Sequence, residues 1–212
     1  MSLPDPRPDC PLCPRLKAFR DDWRAREPGW FNAPVPSFGD PDAELLVVGL
    51  APGVRGANRT GRPFTGDFAG ELLYSSLIEF GFATGRFDAR IDDGLTLVGA
   101  AITNAVRCVP PENKPTPEEI NTCRPWLIDT IKALPRLKAI LALGKIAHDQ
   151  TLRTLGFPMS RFKFVHGAIH TVADGLTLHD TYHSSRYNAN TGRLTPAMFR
   201  DVFTGLAHRL GR

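Results

Sequence analysis

The chain has 212 residues, 42% of them hydrophobic, enough for one well-buried core and too few for two. Its formal charge of +4 at pH 7 permits nucleic acid or another anionic partner without demanding one. No apolar run reaches the roughly 20 residues of a membrane span, and the opening MSLPDPRPDCPLC lacks the charged and apolar regions of a signal peptide. These features predict a single cytoplasmic domain over residues 1–212, with no membrane partner.

Cys10 and Cys13 form a C-x-x-C hairpin at the start of the chain, and the two other cysteines, Cys108 and Cys123, lie far along it. Four soft ligands suit a zinc ion or an iron-sulfur cluster, a reducing compartment disfavours two disulfides, and the plainer reading is four unrelated buried thiols. Residues Pro14 to Glu27 predict a helix with Leu16, Phe19 and Trp23 on its apolar edge, followed by a Pro- and Gly-rich loop, PGWFNAPVPSFGDPDA. The run ELLVVGL predicts a buried parallel strand and AGELLYSSLIEFGF a helix. Between them GLAPGVRGANRTGRPFTGD, Gly49 to Asp67, is a strand-to-helix crossover whose glycines and prolines allow tight turns and close approach to a ligand.

Leu95 to Val106 predicts a second buried strand with Asn104 at its carboxyl edge. Cys108 opens the proline-rich CVPPENKPTP, and Thr116 with Glu119 marks the capped start of a helix reaching Leu134 and carrying Cys123. Lys138 to Gly144 predicts a third strand and Lys145 to Leu155 a helix on which His148 is packed or solvent-facing, without a ligand role. Phe162 to Val172 and Leu176 to Tyr182 predict two strands; His166 and His170 in the first lack an evident third ligand. Thr195 to Leu210 predicts an amphipathic closing helix. The alternation of strands and helices indicates an α/β fold, a three-layer α/β/α sandwich around a mainly parallel sheet.

That topology converges three segments: the crossover with Phe64 and Asp67, the strand end at Asn104, and the segment beginning at His183. An aromatic face, a carboxylate, an amide and an imidazole can stack a planar heterocycle, read its edge, activate water and stabilise developing charge. Each residue alone has a plainer reading: Phe64 as core, Asp67 as a helix N-cap, Asn104 as a turn residue.

GLAPGVRGANRTGRPFTGD, ITNAVRCVPPENKPTPEEINTC, HSSRYNANTGRLT and the CPLC hairpin together resemble the four-cysteine uracil-DNA glycosylases of the B-type, or fifth, family. The resemblance covers most of the chain. It implies a four-stranded parallel sheet between helices, and a DNA repair enzyme that flips uracil, and other deaminated bases such as hypoxanthine, out of double- or single-stranded DNA and leaves an abasic site. It implies one four-iron four-sulfur cluster on Cys10, Cys13, Cys108 and Cys123. Leu50 and Ala51 stand where relatives with GEAPG or GQDPY motifs carry a polar group, so the resemblance places the catalytic carboxylate at Asp67, with His183 contacting the base. Gly49, Ala51, Pro52, Gly53, Phe64 and Asn104 would form the base pocket.

Ser184 replaces a proline common in the family's HPS motif, which puts the rigidity of the DNA-inserting loop in question. Arg55, Arg59, Arg62, Ser184, Ser185, Arg186 and Tyr187 are the expected DNA contacts, and a monomer the expected state. The alternative to catalysis is an iron-sulfur protein that binds DNA or captures uracil on the same scaffold.

Overall fold

The computed structural model describes residues 3–212; Met1 and Ser2, part of the expected domain, lie outside the described residues. Four short apolar runs become β2 (Leu45–Gly49), β5 (Ala100–Asn104), β6 (Ala139–Leu143) and β8 (Leu176–Thr181), nearly all of whose residues are buried. They lie parallel in the order β5-β2-β6-β8. Burial on both faces explains why these strands read as continuous apolar runs rather than alternating ones. The sheet is wider than the expected four strands: β1 (Phe38–Gly39) and β7 (Ile169–Ala173) add one antiparallel strand at each edge.

Alternate residues of the strands feed two cores. Leu45, Val47, Ile102 and Leu141 pack with α3 (Phe68–Glu79) and α7 (Pro196–Leu210). Leu46, Val48, Ile140 and Ala142 pack with α4 (Pro117–Lys132) and α5 (Lys145–Thr154). The result is the expected three-layer sandwich. A smaller cluster joins Leu16 of α1 (Pro14–Arg26) to Val106, Ile120, Cys13, Cys108 and Cys123. The capping box of α4 is present, with Thr116 Oγ1 accepting from the Glu119 amide at 3.2 Å and the Glu119 carboxylate accepting from the Thr116 amide at 2.8 Å.

Three boundaries differ from the apolar pattern. The run from Leu95 to Val106 breaks at Gly99, which adopts a φ of +60°. Its first part, β4 (Thr96–Leu97), pairs instead with β3 (Ala83–Thr84) in a separate ribbon. Of Phe162 to Val172 only the last residues enter the sheet as β7. Two short helices, α2 (Ala57–Thr60) and α6 (Arg186–Asn190), form where loops were expected, α2 closing on Gly61 in the left-handed conformation.

Of the two expected readings of His148 the packed one holds: it is fully buried, and the partner missing from the sequence pattern is Asp180. His148 Nδ1 lies 2.7 Å from one Asp180 oxygen and His170 Nε2 lies 3.0 Å from the other. The second ring nitrogen of His148 faces the Phe162 carbonyl at 3.1 Å. This network fixes the segment between α5 and β7 on the sheet.

Arg62, expected on DNA, is buried at 3% exposure and engaged inside the protein. Its guanidinium donates two hydrogen bonds to Asp93, at 2.8 and 2.6 Å, and one to Thr65 Oγ1 at 2.7 Å. It packs against the rings of Phe38, Tyr74 and Phe87. The arginine holds Asp93 well below the usual carboxylate range. Thus Arg62 welds the crossover loop to the segment before β4 and is unavailable to phosphate. Arg62→Met, which strands Asp93 without its partner, should destabilise the fold by about 3 to 5 kcal/mol in urea unfolding. Exposed Arg59→Gln should change stability by less than about 0.5 kcal/mol.

Candidate active site

The parallel register sets Gly49, the last residue of β2, beside Asn104, the last of β5. Both strand ends open into a cavity of about 930 Å³ lined by Leu50, Ala51, Pro52, Gly53, Phe64, Asp67, Asn104 and His183. The three segments expected to converge therefore do so, at the carboxyl end of the sheet. The cavity extends past Val54, Phe68, Trp23 and Asn113, which the sequence did not single out. Trp23 was visible only as part of the apolar edge of α1, and Asn113 only as a polar residue in a proline-rich loop.

Phe64 is a wall residue with a φ of 53°, in the left-handed region that non-glycine residues seldom occupy. Its ring centroid lies 6.0 Å from that of His183. Two glycines permit this placement. A Cβ on Gly49 would fall 2.6 Å from Phe64 Cζ and 2.3 Å from Asn104 Oδ1, and a Cβ on Gly70 would fall 1.8 Å from the Phe64 carbonyl oxygen.

Asp67 immediately precedes α3, but its side chain makes no capping hydrogen bond. Its Oδ1 is buried without a hydrogen-bond partner, as is Oδ1 of Asn104, which is 3% exposed. Burying such acceptors without partners costs roughly 1 to 3 kcal/mol each, so two of them at one cavity mark it as a site for a donor. Burial raises the Asp67 carboxyl above its ordinary value, with the Gly70 and Ala69 amides pulling the other way. A Cβ on Gly56 would fall 2.3 Å from Asp67 Oδ2, so that glycine makes room for the carboxylate.

His183 follows β8 and is pushed down from 6.5 to about 4 by burial. At neutral pH it is an uncharged imidazole able to donate one hydrogen bond. The Asn188 side-chain amide donates to its carbonyl at 2.9 Å. Ser184 is buried at 2% exposure and donates through Oγ to the Ala69 carbonyl at 3.0 Å, so it anchors the loop to α3 rather than contacting DNA. Ser185 caps α6 and lines the cavity with Arg186. Tyr187, at 71% exposure, projects freely, and Arg55 and Arg59 are exposed on the crossover.

Cys10, Cys13, Cys108 and Cys123 line one small pocket with Leu16 and Val106. Burial pushes the Cys13 thiol up to about 11 and Cys108 up to about 12, and repulsion from neighbouring cysteines adds to both. A metal-bearing group would be needed to hold them together as thiolates at neutral pH. The backbone N–H of Arg107 reaches Cys123 Sγ at 3.4 Å and the Arg20 guanidinium reaches Cys108 Sγ at 3.3 Å. An apolar pocket with N–H donors aimed at its sulfurs fits a thiolate-bound metal centre.

Because the folded value of His183 lies below its unfolded one, its contribution to stability is present above pH 6.5 and is lost as the pH falls towards about 4. His179, also pushed down to about 4 by burial, acts in the same direction. The unfolding free energy should therefore drop across that window, and His183→Gln should flatten part of the drop in urea titrations at its two ends.

Residues 36–207 match the sequence profile of the Uracil DNA glycosylase superfamily. The chain is 46% identical over 199 residues to the Type-5 uracil-DNA glycosylase of Thermus thermophilus, covering 91% of this chain and 90% of that one. It is 39% identical over 207 residues to the Type-5 uracil-DNA glycosylase of Pyrobaculum aerophilum, covering 96% and 90%. A Type-4 uracil-DNA glycosylase of Archaeoglobus fulgidus is 33% identical over 139 residues, 65% of this chain and 62% of that one. With the profile spanning most of the sandwich and the relatives most of the chain, this protein belongs to the uracil-DNA glycosylase superfamily.

Proposed function

We propose that this chain is a monofunctional uracil-DNA glycosylase of DNA repair, acting as a cytoplasmic monomer on double- or single-stranded DNA. It extrudes the target nucleotide and hydrolyses its N-glycosidic bond, leaving an abasic site. The observation that carries this reading is the convergence of Phe64, Asp67, Asn104 and His183 on one cavity with two buried, unpartnered oxygens. The names of the relatives support the same chemistry.

In this reading the flipped base stacks on Phe64 and its polar edge meets the Asn104 amide. Cleavage leaves negative charge on the departing base, which the neutral His183 stabilises by donating a hydrogen bond. Positive charge develops on the sugar, and Asp67 stabilises it or orients the attacking water. Leu50 and Ala51 add no polar group to the cavity, so hypoxanthine enters as well as uracil. Arg55, Arg59, Arg186 and Tyr187 contact the DNA outside the pocket.

The cysteines are the residues that would hold one four-iron four-sulfur cluster. The preference for an iron-sulfur cluster over zinc rests on the resemblance of the CPLC hairpin and the Cys108 to Cys123 segment to the four-cysteine glycosylases. Such a cluster supplies a cross-link between the amino-terminal hairpin and the segment from Cys108 to Cys123; glycosidic hydrolysis itself transfers no electron.

Incubation with a single-uracil oligonucleotide followed by alkali should yield strand scission; a retained adduct or intact DNA would overturn the enzymatic reading. Asp67→Asn should lower the single-turnover rate about a hundred- to ten-thousand-fold with little change in DNA affinity. The acid limb of the parent's rate profile should lie above the ordinary aspartate range and vanish in that variant. Hypoxanthine oligonucleotides test the breadth of the pocket. Iron and acid-labile sulfide should accompany the purified protein, and a colourless, folded, zinc-containing preparation would remove the cluster.

A further inference from the structure

Arg20 lies in the middle of α1 at 1% exposure, among the most deeply buried side chains of the protein. A buried guanidinium costs several kcal/mol unless it meets an opposite charge and fills its hydrogen bonds. Among the described residues, Arg20 forms no ion pair or hydrogen bond with a carboxylate. One terminal nitrogen donates to Cys108 Sγ at 3.3 Å, the other to the Cys10 carbonyl at 3.1 Å, and Nε is buried without a partner. The contrast within the same pocket is Arg107, equally buried, whose guanidinium reaches Asp5 at 2.7 Å and Thr130 Oγ1 at 2.8 Å. Arg107 has its counter-charge; Arg20 faces sulfur.

A cation placed this way finds an opposite charge in direct contact when Cys108 is a thiolate. Four thiolates around a four-iron four-sulfur core, or around zinc, carry a net negative charge. We propose that Arg20 is the internal counter-ion of the four-cysteine centre, compensating its negative charge through Cys108 while clamping the Cys10 backbone to the opposite side. This rests on the reading of the cysteines as a metal centre. It gives one side chain two duties: it joins the amino-terminal hairpin to the segment following β5, and it withdraws electron density from one ligand. Hydrogen bonds to ligand sulfur and nearby positive charge raise a cluster's reduction potential. Arg20 is therefore a positioning and tuning residue for the centre, and it does not line the base pocket.

The test compares the parent with Arg20→Met, which keeps length and removes charge, and Arg20→Lys, which keeps charge and loses the fork. Lys17→Gln, an exposed change on the same helix, controls for effects on α1. Three quantities are read on protein as purified: metal content, the rate of metal release to a chromophoric chelator, and, for iron, the midpoint potential by electrochemical titration. Arg20→Met should release its metal about 10- to 100-fold faster, as expected for loss of an outer-shell partner, and shift the potential downwards. Arg20→Lys should fall between it and the parent, and Lys17→Gln should match the parent.

Equal release rates and potentials for Arg20→Met and the parent would overturn the proposal. If Arg20→Met does not fold, Arg20→Lys decides: release at the parent's rate overturns it and faster release supports it. A parent that carries zinc refutes the cluster but leaves the Arg20 comparison intact through zinc release. A parent that is folded and metal-free refutes the metal centre and Arg20's place in it together.

Discussion

The site depends on a missing atom. Gly49 ends β2 directly beside Asn104 in the parallel register, and the space a Cβ would take is filled by the Asn104 amide oxygen and the Phe64 ring. Any side chain there would push apart the two groups that face the cavity. The same device recurs at Gly56, which admits the Asp67 carboxylate, and at Gly70, which admits the Phe64 carbonyl. The pocket is thus shaped by close packing at three glycines, against side chains at Gly49 and Gly56 and against backbone at Gly70. The rigid sheet end supplies the frame against which that packing is defined.

Much of this was readable in the amino-acid order because the deciding contacts are local or follow from topology. Fully apolar five-residue runs such as LLVVG and AILAL admit few readings besides buried parallel strands, and a parallel strand delivers its carboxyl end to the common mouth. Asn104 and His183 could therefore be placed near the crossover without knowing a single distance. The motifs that resemble the fifth glycosylase family sharpened which residues mattered.

What was not readable are pairings between charged groups distant in sequence. Arg62 in a loop of arginines looks like a phosphate contact until Asp93, 31 positions later, is seen to hold it. His148 looks like an isolated histidine until Asp180, 32 positions on, bridges it to His170. Ser184 looks like a lost restraint until its hydroxyl meets the Ala69 carbonyl, 115 positions away. In each case the residue type indicated hydrogen-bonding capacity, and only the fold said where it was spent. Helix α1 shows the same limit on a larger scale: it leaves the cysteine hairpin at Cys13, carries Arg20 to the sulfur pocket and, in its last turn, sets Trp23 on the wall of the base cavity.

The left-handed backbone at Phe64 has a consequence for timing. Holding a bulky residue in that conformation costs about 1 to 3 kcal/mol, and the fold settles that cost when the chain folds rather than when DNA arrives. On the proposed reading, an extruded base would meet an aromatic face that the fold has already set. On that reading the protein gives up some of the stability its contacts would provide in return for a cavity wall set before DNA binds.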